Sequence, residues 1–345
     1  MVDTIVASVR DALGDREAWV VGGAVRDELL RRPVVDLDVA LREPEAAARA
    51  FARQIGGAPF PLSERHGAWR VVADEGRTID FTPLPGPIED DLATRDFTIN
   101  AIALPLAGGE PADPFEGRQD LEERIVRAVS AQVFENDPLR LLRAVRFEDE
   151  LEFRLEPRTE RLVREQAGLV TKAPGERILA ELLRLSVRGW HRLADVGLLE
   201  RLGGSLERAD RAGAVDTPEY RLVVFLADGV GVLPISQKLR RYAITLLRRG
   251  APPEDGSPRA IHRFRKRTEP WALEALAFQD ASEHTEAVER SRADEPAEPL
   301  LRGDELGLPS GPAIGRALER IAEERAAGTI STREDALDLV RREFR

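Results

Sequence analysis

The stretch that decides the fold is residues 18–41, AWVVGGAVRDELLRRPVVDLDVAL. A short apolar run, Trp19 to Val21, leads into the glycine pair Gly22-Gly23. A helical pattern follows at residues 24–32, and a second β-like run occupies residues 34–41. A strand, a glycine turn, a helix and another strand in this order predict an α/β or α+β domain.

The same alternation continues beyond this stretch. Residues 44–55 have a helical pattern, and residues 71–72 and 78–82 are β-like. From Asp137 onward, Leu, Ala, Arg and Glu recur at helical spacing, interrupted by loop-forming segments at 250–257 and 291–299. The sequence therefore predicts an α+β fold, with a mixed β-sheet domain followed by an all-α part.

Length and composition limit the classes of protein. A chain of 345 residues predicts two or three domains, because single cores usually stop growing near ~250 residues. The absence of cysteine excludes disulfides and thiolate metal sites. Ile5, Val9 and Leu13 share a helical face, which predicts an amphipathic first helix and not a secretory signal. No apolar run approaches the ~20 residues of a membrane span, so we expect a cytoplasmic protein with no membrane partner.

The net charge of -11 argues against a protein that coats nucleic acid without specificity. This net charge does not exclude local RNA contact. Only Lys172, Lys238 and Lys266 of the 51 basic residues are lysines, so nearly all of them are arginines. Arginine is the better bidentate ligand of phosphate, although genome composition can produce the same bias. The basic run at Arg263, Arg265, Lys266 and Arg267 is the candidate RNA contact, with a solvated charged face as the equal alternative.

The glycine pair Gly22-Gly23 is the first candidate binding element. Paired glycines allow a backbone to approach a ligand closely, and a following helix offers free N–H groups to a phosphate. Arg26 lies in that helix. A glycine turn before a helix is also common for structural reasons alone, so this motif carries little weight by itself.

Asp36 and Asp38 are the candidate metal ligands. Side chains alternate along a strand, so the two carboxylates share one face while Val35, Leu37 and Val39 pack on the other. Two adjacent carboxylates repel unless a cation lies between them, and Mg²⁺ takes a few carboxylates with water and phosphate oxygens. An edge strand with a solvated face is the alternative.

Asp80 is a third candidate carboxylate, in the β-like run 77–81. If its strand neighbours that of Asp38, Asp80 is placed to hold the metals or to accept the proton of an attacking hydroxyl. A solvated strand position is equally compatible with the pattern.

Polar groups also lie at the start of an apolar, helix-like stretch, DDLATRDFTINAIAL. Thr94, Arg95, Asp96 and Asn100 are candidates to meet the sugar and phosphates of a nucleotide. Asp96 as a helix N-cap and Arg95 as a surface charge are the structural alternatives.

In FENDPLRLLRAVRF, Asp137, Arg140, Arg143 and Arg146 recur every third residue, which predicts one helical stripe. A carboxylate beside a guanidinium is an acceptor next to a donor. Cytosine and adenine both present an amine beside a ring nitrogen, so one such pair can accept C and A and reject U and G. A salt-bridged surface stripe is the alternative.

These strings together resemble the class II tRNA nucleotidyltransferase and bacterial poly(A) polymerase family. The matching strings, in chain order, are GGAVRD, DLDVAL, DLATRDFTINAIAL, DPFEGRQDL, FENDPLRLLRAVRF and GERILAELLRL. The C-terminal LLRGDELGLPSGPAIGRALERI and GTISTRED are similar to the tail of the tRNA enzymes. They favour tRNA over poly(A) addition.

The resemblance implies a nucleotidyltransferase head at 1–130, a helical neck with a nucleobase-template helix at 131–205, and a helical body and tail at 206–345 that binds tRNA. It implies that CMP and AMP are added from CTP and ATP to the 3′ end of tRNA with two Mg²⁺ ions. The catalytic residues would be Asp36, Asp38 and Asp80, and Asp36 and Asp38 would bind the metal. The nucleotide would be bound by Gly22, Gly23, Arg26, Arg95, Asp96, Asn100, Asp137, Arg140, Arg143 and Arg146.

The sequence departs from the family pattern at two places. Asn136 replaces the usual glutamate of the template motif, so the support of Arg140 is expected to differ. Pro85 lies near the position of a usual arginine, in a short segment where relatives carry a longer loop. Partial CC or A addition, poly(A) addition, and a non-catalytic RNA-binding protein on the same fold are the alternatives.

Overall fold

The computed structural model describes residues 2–34, 36–63, 67–73 and 76–344, and Val35 lies outside them. The chain forms two compact units, Met1–Arg201 and Leu202–Arg345.

One mixed sheet organises the first unit. Within the described residues it has six strands in the order β3-β4-β5-β2-β1-β6. Strands β2 and β5 are parallel, and the other neighbouring pairs in this sheet are antiparallel. The strands are β1 Ala18–Val21, β2 Asp36–Leu41, β3 Pro59–Ser63, β4 Ala68–Val72, β5 Thr78–Pro83 and β6 Ala103–Pro105.

The first face of the sheet is packed against helix α3 (Pro44–Ile55), and α3 in turn contacts helix α1 (Val2–Leu13). The predicted helix 44–55 is confirmed; it has proline in its first turn and ends at Gly56, whose φ of 71° is left-handed. The rings of Phe51 and Phe81 meet at 6.0 Å, and both side chains are fully buried. Burying such a ring stabilises the fold by about 1.5–3 kcal/mol.

The second face is covered only in part. Helix α4 (Ile88–Ala93) packs with Val21, Ala40 and Ala103 over β1, β2 and β6. The predicted helix-like stretch after Arg95 is wrong: the chain makes a short 3₁₀ turn and then strand β6. Polar side chains in that turn bond to one another and to the backbone, which competes with a continued helix.

The rest of the first unit is helical apart from strands β7 (Ile125–Val126) and β8 (Arg154–Leu155), which pair in parallel. The region predicted to be all-α therefore contains a two-residue strand. Its helices, with α2 from the sheet region, are α2 Gly23–Leu29, α5 Gly117–Glu122, α6 Val133–Asn136, α7 Arg140–Glu150, α8 Pro157–Gln166, α9 Gly175–Leu182, α10 Val187–Asp195 and α11 Leu198–Arg201.

The second unit is built from helices. They are α12 Pro218–Leu226, α13 Gln237–Ile244, α14 Pro258–Thr268, α15 Ala272–Phe278, α16 Thr285–Ala293, α17 Pro312–Ala326 and α18 Arg333–Phe344. The predicted loop at 250–257 lies between α13 and α14, and Ser257 caps α14 through the N–H of Ala260. The predicted loop at 291–299 begins later, because α16 continues to Ala293.

In the described part of the chain, no single helix has the length and apolar character to cross a membrane. One bent pair, Pro218–Val232 with Gln237–Arg249, passes that test only when its two segments are taken together, across a bend of 116°.

Candidate nucleotidyl-transfer site

A row of charged side chains lies across strands β2, β5 and β4 on the second face of the sheet. Asp38 on β2 is in register with Asp80 on β5, and Asp80 is in register with Arg70 on β4. Asp36 accepts a hydrogen bond from the hydroxyl of Thr78 at 2.6 Å. Registered neighbours project from the same side of a sheet, so the carboxylates of β2 and β5 face one another across that side.

The surroundings of Asp38 disfavour its charged form. Burial, followed by the nearby charge of Asp80 and that of Asp36, raises the pKa of Asp38 to about 6, although Arg95 and Arg70 act in the opposite direction. A divalent cation would relieve this repulsion. Within the described ranges no three acidic or histidine side chains form a metal-binding group. The Asp36/Asp38 pair nevertheless fits Mg²⁺, which is commonly held by one or two carboxylates plus water and phosphate.

Arg70 is a residue that the sequence analysis missed. Its Nε and Nη2 donate to the two oxygens of Asp80 at 2.6 and 2.7 Å, a bidentate pair. Both oxygens of Asp80 are thereby engaged. Strand alternation offered a signal, because an arginine between Trp69 and Val71 in a β-like run must face away from the buried side.

The glycine turn comes close to this row. Gly22 has φ 74° and ψ -136°, a conformation that L residues rarely adopt. A Cβ at Gly22 would lie 2.8 Å from Nη1 of Arg95 and 3.3 Å from Oδ2 of Asp38. The turn, one arginine and one carboxylate therefore converge, whereas a Cβ at Gly23 would make only an ordinary 3.6 Å contact with Arg26.

A chain of hydrogen bonds connects helix α2 with helix α7. Nη1 of Arg26 donates to Oδ1 of Asn100 at 2.8 Å, and Nδ2 of Asn100 donates to Oδ1 of Asp96 at 2.9 Å. The other oxygen of Asp96 is 2.6 Å from Nη2 of Arg143. Burial would raise the pKa of Asp96, but the charge of Arg143 and hydrogen bonds from Asn100, Arg143 and the Phe97 N–H hold it below its usual value.

Arg95 and Arg140 are each held by one firm contact. Nε and Nη2 of Arg95 donate to one oxygen of Asp91 at 2.9 and 2.7 Å. Nη2 of Arg140 donates to the carbonyl of Thr94 at 2.8 Å. A backbone oxygen thus orients the Arg140 guanidinium.

The predicted helical stripe is wrong at its first member. Asp137 is extended, with φ -146° and ψ 99°, and helix α7 begins only at Arg140. The reason is local, because a residue before proline, here Pro138, is disfavoured in the α region. The Asp137 carboxylate accepts from the N–H of Leu139 at 3.1 Å and pairs with Arg177 at 3.0 Å instead of pairing with Arg140.

Arg146 lies away from any open surface. Its side chain is 3% exposed, and its guanidinium pairs with Glu181 of α9 and with Glu150 of its own helix. The guanidinium also lies 4.1 Å from the ring centroid of Phe147. This geometry joins α7 to α9 and does not offer Arg146 to a phosphate.

The predicted RNA-contact cluster in the second unit separates into different environments. Arg265 is buried, and it bonds to Glu269 at 3.0 Å and to Glu295 at 2.5 Å. Arg263 pairs with Glu323, and Nη2 of Arg267 donates to the carbonyl of Ala251 at 3.1 Å. Helical spacing places Arg265 on a different face of α14 from Arg263, Lys266 and Arg267, which lie at i, i+3 and i+4.

Comparison with known proteins places these residues in a family. Residues 18–85 and 84–127 match the family described as poly A polymerase head domain, and residues 152–203 match the probable RNA and SrmB-binding site of polymerase A. The CC-adding tRNA nucleotidyltransferase of Geobacter sulfurreducens is 32% identical, over 92% of this chain and 90% of that protein. The A-adding tRNA nucleotidyltransferase of Deinococcus radiodurans is 34% identical, over 94% of this chain and 95% of that protein.

The fold also has solved counterparts. The structure of the Thermotoga maritima CCA-adding enzyme complexed with tRNA aligns with a TM-score of 0.73 at 24% identity, covering 99% of this chain and 94% of that one. At this identity the likeness supports the fold alone. The predicted α+β head with a helical remainder is confirmed.

Proposed function

Because the chain belongs to the tRNA nucleotidyltransferase family, we propose that it adds CMP and AMP from CTP and ATP to the 3′ end of tRNA without a nucleic-acid template. The observation that carries this proposal is the convergence of Gly22, Arg95 and Asp38 beside Asp36. A close backbone approach, a guanidinium and a pair of carboxylates are the groups that a nucleoside triphosphate and its metal require.

Asp36 and Asp38 would hold two Mg²⁺ ions in this proposal. When bound, the metal lowers the pKa of the RNA 3′-hydroxyl and stabilises charge on the departing pyrophosphate. Asp80 contributes through its charge beside Asp38, and Arg70 fixes the orientation of its carboxylate.

The other site residues bind and orient the nucleotide. Arg95 binds the phosphates where the open turn at Gly22 and Gly23 lets them approach. Arg26 joins it in this proposal by exchanging its bonds to Asp27 for a phosphate, because all three of its guanidinium nitrogens are bonded in the protein alone. Little covalent chemistry is asked of these groups, because phosphoryl transfer depends mainly on positioning and charge.

Recognition of the base belongs to the segment before and at the start of α7. Asp137 and the N–H groups of Arg140 that do not bond to Thr94 present an acceptor and donors to a base edge. The hydrogen bond between Asn100 and Asp96 and the ion pair of Asp96 with Arg143 hold this segment in place. Arg146 supports the helix in our proposal, given its burial between two carboxylates.

The division into head (1–130), neck (131–205) and tRNA-binding body and tail (206–345) is part of the same proposal, as is a cytoplasmic location. Arg263, Lys266 and Arg267 are the proposed phosphate contacts of α14. Arg265 is omitted from them because its guanidinium is occupied by Glu269 and Glu295.

Partial addition is a second candidate. Relatives that align over nearly their whole length include enzymes named CC-adding and A-adding. The test incubates the protein with tRNAs ending before CCA, after C, and after CC, each with labelled CTP or ATP alone and together. Complete CCA addition, growth that stops at CC, and a single A on the CC substrate separate the three activities.

Two controls complete this test. Runs of A would indicate a poly(A) polymerase, and no incorporation on any RNA would indicate a non-catalytic binding protein and overturn the proposal. The Asp36→Ala variant should lose incorporation, and retained activity would refute the site assignment.

A further inference from the structure

Among the described residues, the sheet face that carries the carboxylates becomes more exposed toward the β3 edge. One register row runs from Asp38 through Asp80 and Arg70 to Phe60 on β3. Its neighbour runs from Asp36 through Thr78 to Val72. Phe60 and Val72 are 42% and 47% exposed. We call Phe60, Arg70 and Val72 the β3–β4 strip.

The strip has an unusual composition for an exposed face. Burying a phenylalanine or valine side chain contributes about 1.5–3 kcal/mol, and that gain is incomplete at Phe60 and Val72 in the protein alone. The opposite face of the same strands is closed, since Val71 and Ile79 are fully buried under α3. A ligand that covered Phe60 and Val72 beside the row of charged side chains would complete their burial.

The direction of the reaction selects the ligand. In-line displacement requires the attacking hydroxyl and the leaving pyrophosphate on opposite sides of the reacting phosphorus. Gly22 and Arg95, the proposed triphosphate contacts, lie next to Asp38 on the β1 side of the row. With the line of displacement along the register row, the acceptor hydroxyl approaches from the side of β5, β4 and β3.

We infer that the β3–β4 strip binds the last nucleotides of the acceptor RNA, with a base stacked on Phe60 and Val72. This inference rests on the proposed function and adds the location of the RNA 3′ end. At a strand spacing of about 4.8 Å, Phe60 lies three strands or roughly 14 Å from Asp38, within reach of the terminal nucleotides.

The chemistry of the strip fits this substrate. Every base has a π-face, so stacking on an aromatic side chain tolerates any sequence. Tolerance is needed here because the terminal base changes with each nucleotide added. Arg70 uses Nε and Nη2 for Asp80, so its third nitrogen, Nη1, is not needed for that pair and can donate to a backbone phosphate.

The main test measures steady-state addition with the full-length protein. Phe60→Ala should raise the KM for tRNA about 5- to 150-fold, the range expected for loss of one base stack, and leave the KM for CTP or ATP unchanged. Phe60→Trp should retain the parent KM. Ile55→Ala is the matched control, because Ile55 is 36% exposed on α3, the helix that packs on the opposite face.

Direct binding provides a readout that needs no turnover. RNA with 2-aminopurine as its 3′-terminal base, added without nucleotide or Mg²⁺, should be quenched by the parent and by Ile55→Ala, and much less by Phe60→Ala.

The outcomes separate this inference from the proposed function. Active parent enzyme with a Phe60→Ala variant that matches it in both KM for tRNA and quenching would overturn the inference alone. An equal rise in the KM for CTP or ATP would also overturn it, because the strip would then belong to the nucleotide. A parent that extends no RNA would refute the proposed function, and Phe60-dependent quenching in that protein would still support an RNA 3′-end site.

Discussion

Replacing the first glycine of the turn tests the geometry of the site most directly. In Gly22→Ala the new residue must keep φ 74° and ψ -136°, a region that costs a non-glycine residue about 1–3 kcal/mol. Its Cβ would also come within 2.8 Å of Nη1 of Arg95, so that guanidinium must move away from Asp91. The partly exposed Arg95–Asp91 pair adds up to about 1 kcal/mol.

We therefore expect Gly22→Ala to lower the free energy of unfolding of the first unit by about 1–4 kcal/mol. Moving Arg95 should also remove one charge-assisted phosphate contact, worth about 1.5–3 kcal/mol, or roughly 10- to 150-fold in kcat/KM.

Gly23→Ala provides the control, because the neighbouring glycine has no such constraint. A Cβ there meets only Arg26 at 3.6 Å, and Gly23 is the first residue of α2. Alanine is favoured over glycine in a helix by up to about 1 kcal/mol, so the stability should be unchanged or higher. A rise in the KM for the nucleotide in Gly23→Ala would then reflect a weaker fit of the ligand and not a loss of stability.

Urea denaturation gives the stability of both variants, and initial rates of nucleotide addition give kcat/KM. Equal losses of stability in Gly22→Ala and Gly23→Ala would refute the conformational argument. Unchanged activity in Gly22→Ala would refute the placement of Arg95 at the phosphates.

Three other predictions concern charges. In EDTA at pH 8, Asp38→Asn should be more stable than the parent by on the order of 2 kcal/mol. The parent carboxyl, whose pKa is raised to about 6, loses its stabilising contribution as the pH rises through that value. Thermal or urea unfolding across pH checks this. Arg143→Met should destabilise the protein by about 3–5 kcal/mol near pH 7, because the buried Asp96 carboxylate loses its counter-ion. The pKa of Asp96 is lowered in the parent, so this loss of stability shrinks as the pH falls below about 4. Arg146→Met should destabilise by a similar amount with little change in base choice, whereas Arg140→Met should change stability by less than about 1 kcal/mol and broaden the nucleotides accepted, as measured with the four labelled triphosphates.

Each of these has a contradicting result. An Asp38→Asn advantage that persists below pH 4 would mean that its cause is not ionisation. A pH-independent effect of Arg143→Met would remove the ion pair from the explanation. Strict C and A selection by Arg140→Met would take base recognition away from that residue.

The sequence was sufficient for features that depend on local periodicity. Alternation along β2 placed Asp36 and Asp38 on one face, and the apolar spacing of residues 44–55 gave α3 with its correct bounds. The resemblance then supplied the family, which the full-length relatives confirm.

What the sequence did not give depends on partners distant in the chain. Arg70 became visible only through the antiparallel register that sets it opposite Asp80. Regular spacing put Arg146 with Arg140 and Arg143, but the carboxylate of Glu181 on another helix decides that Arg146 is buried. The three-residue spacing predicted Asp137 to be helical, but Pro138 after it disfavours the helical conformation at that position. The roles of these side chains in binding stay predictions.

The hydrogen bonds from Arg143 through Asp96 and Asn100 to Arg26 have a consequence for fidelity. These bonds join α7, the helix proposed to recognise the base, with Arg26, an arginine proposed to bind the phosphates. The two groups between them, Asp96 and Asn100, are almost fully buried and so have little freedom to move separately. An incorrect base that displaces α7 would therefore disturb the alignment of its own α-phosphate. We expect discrimination against such a base to show as slow transfer after binding, in kcat, more than as weak binding.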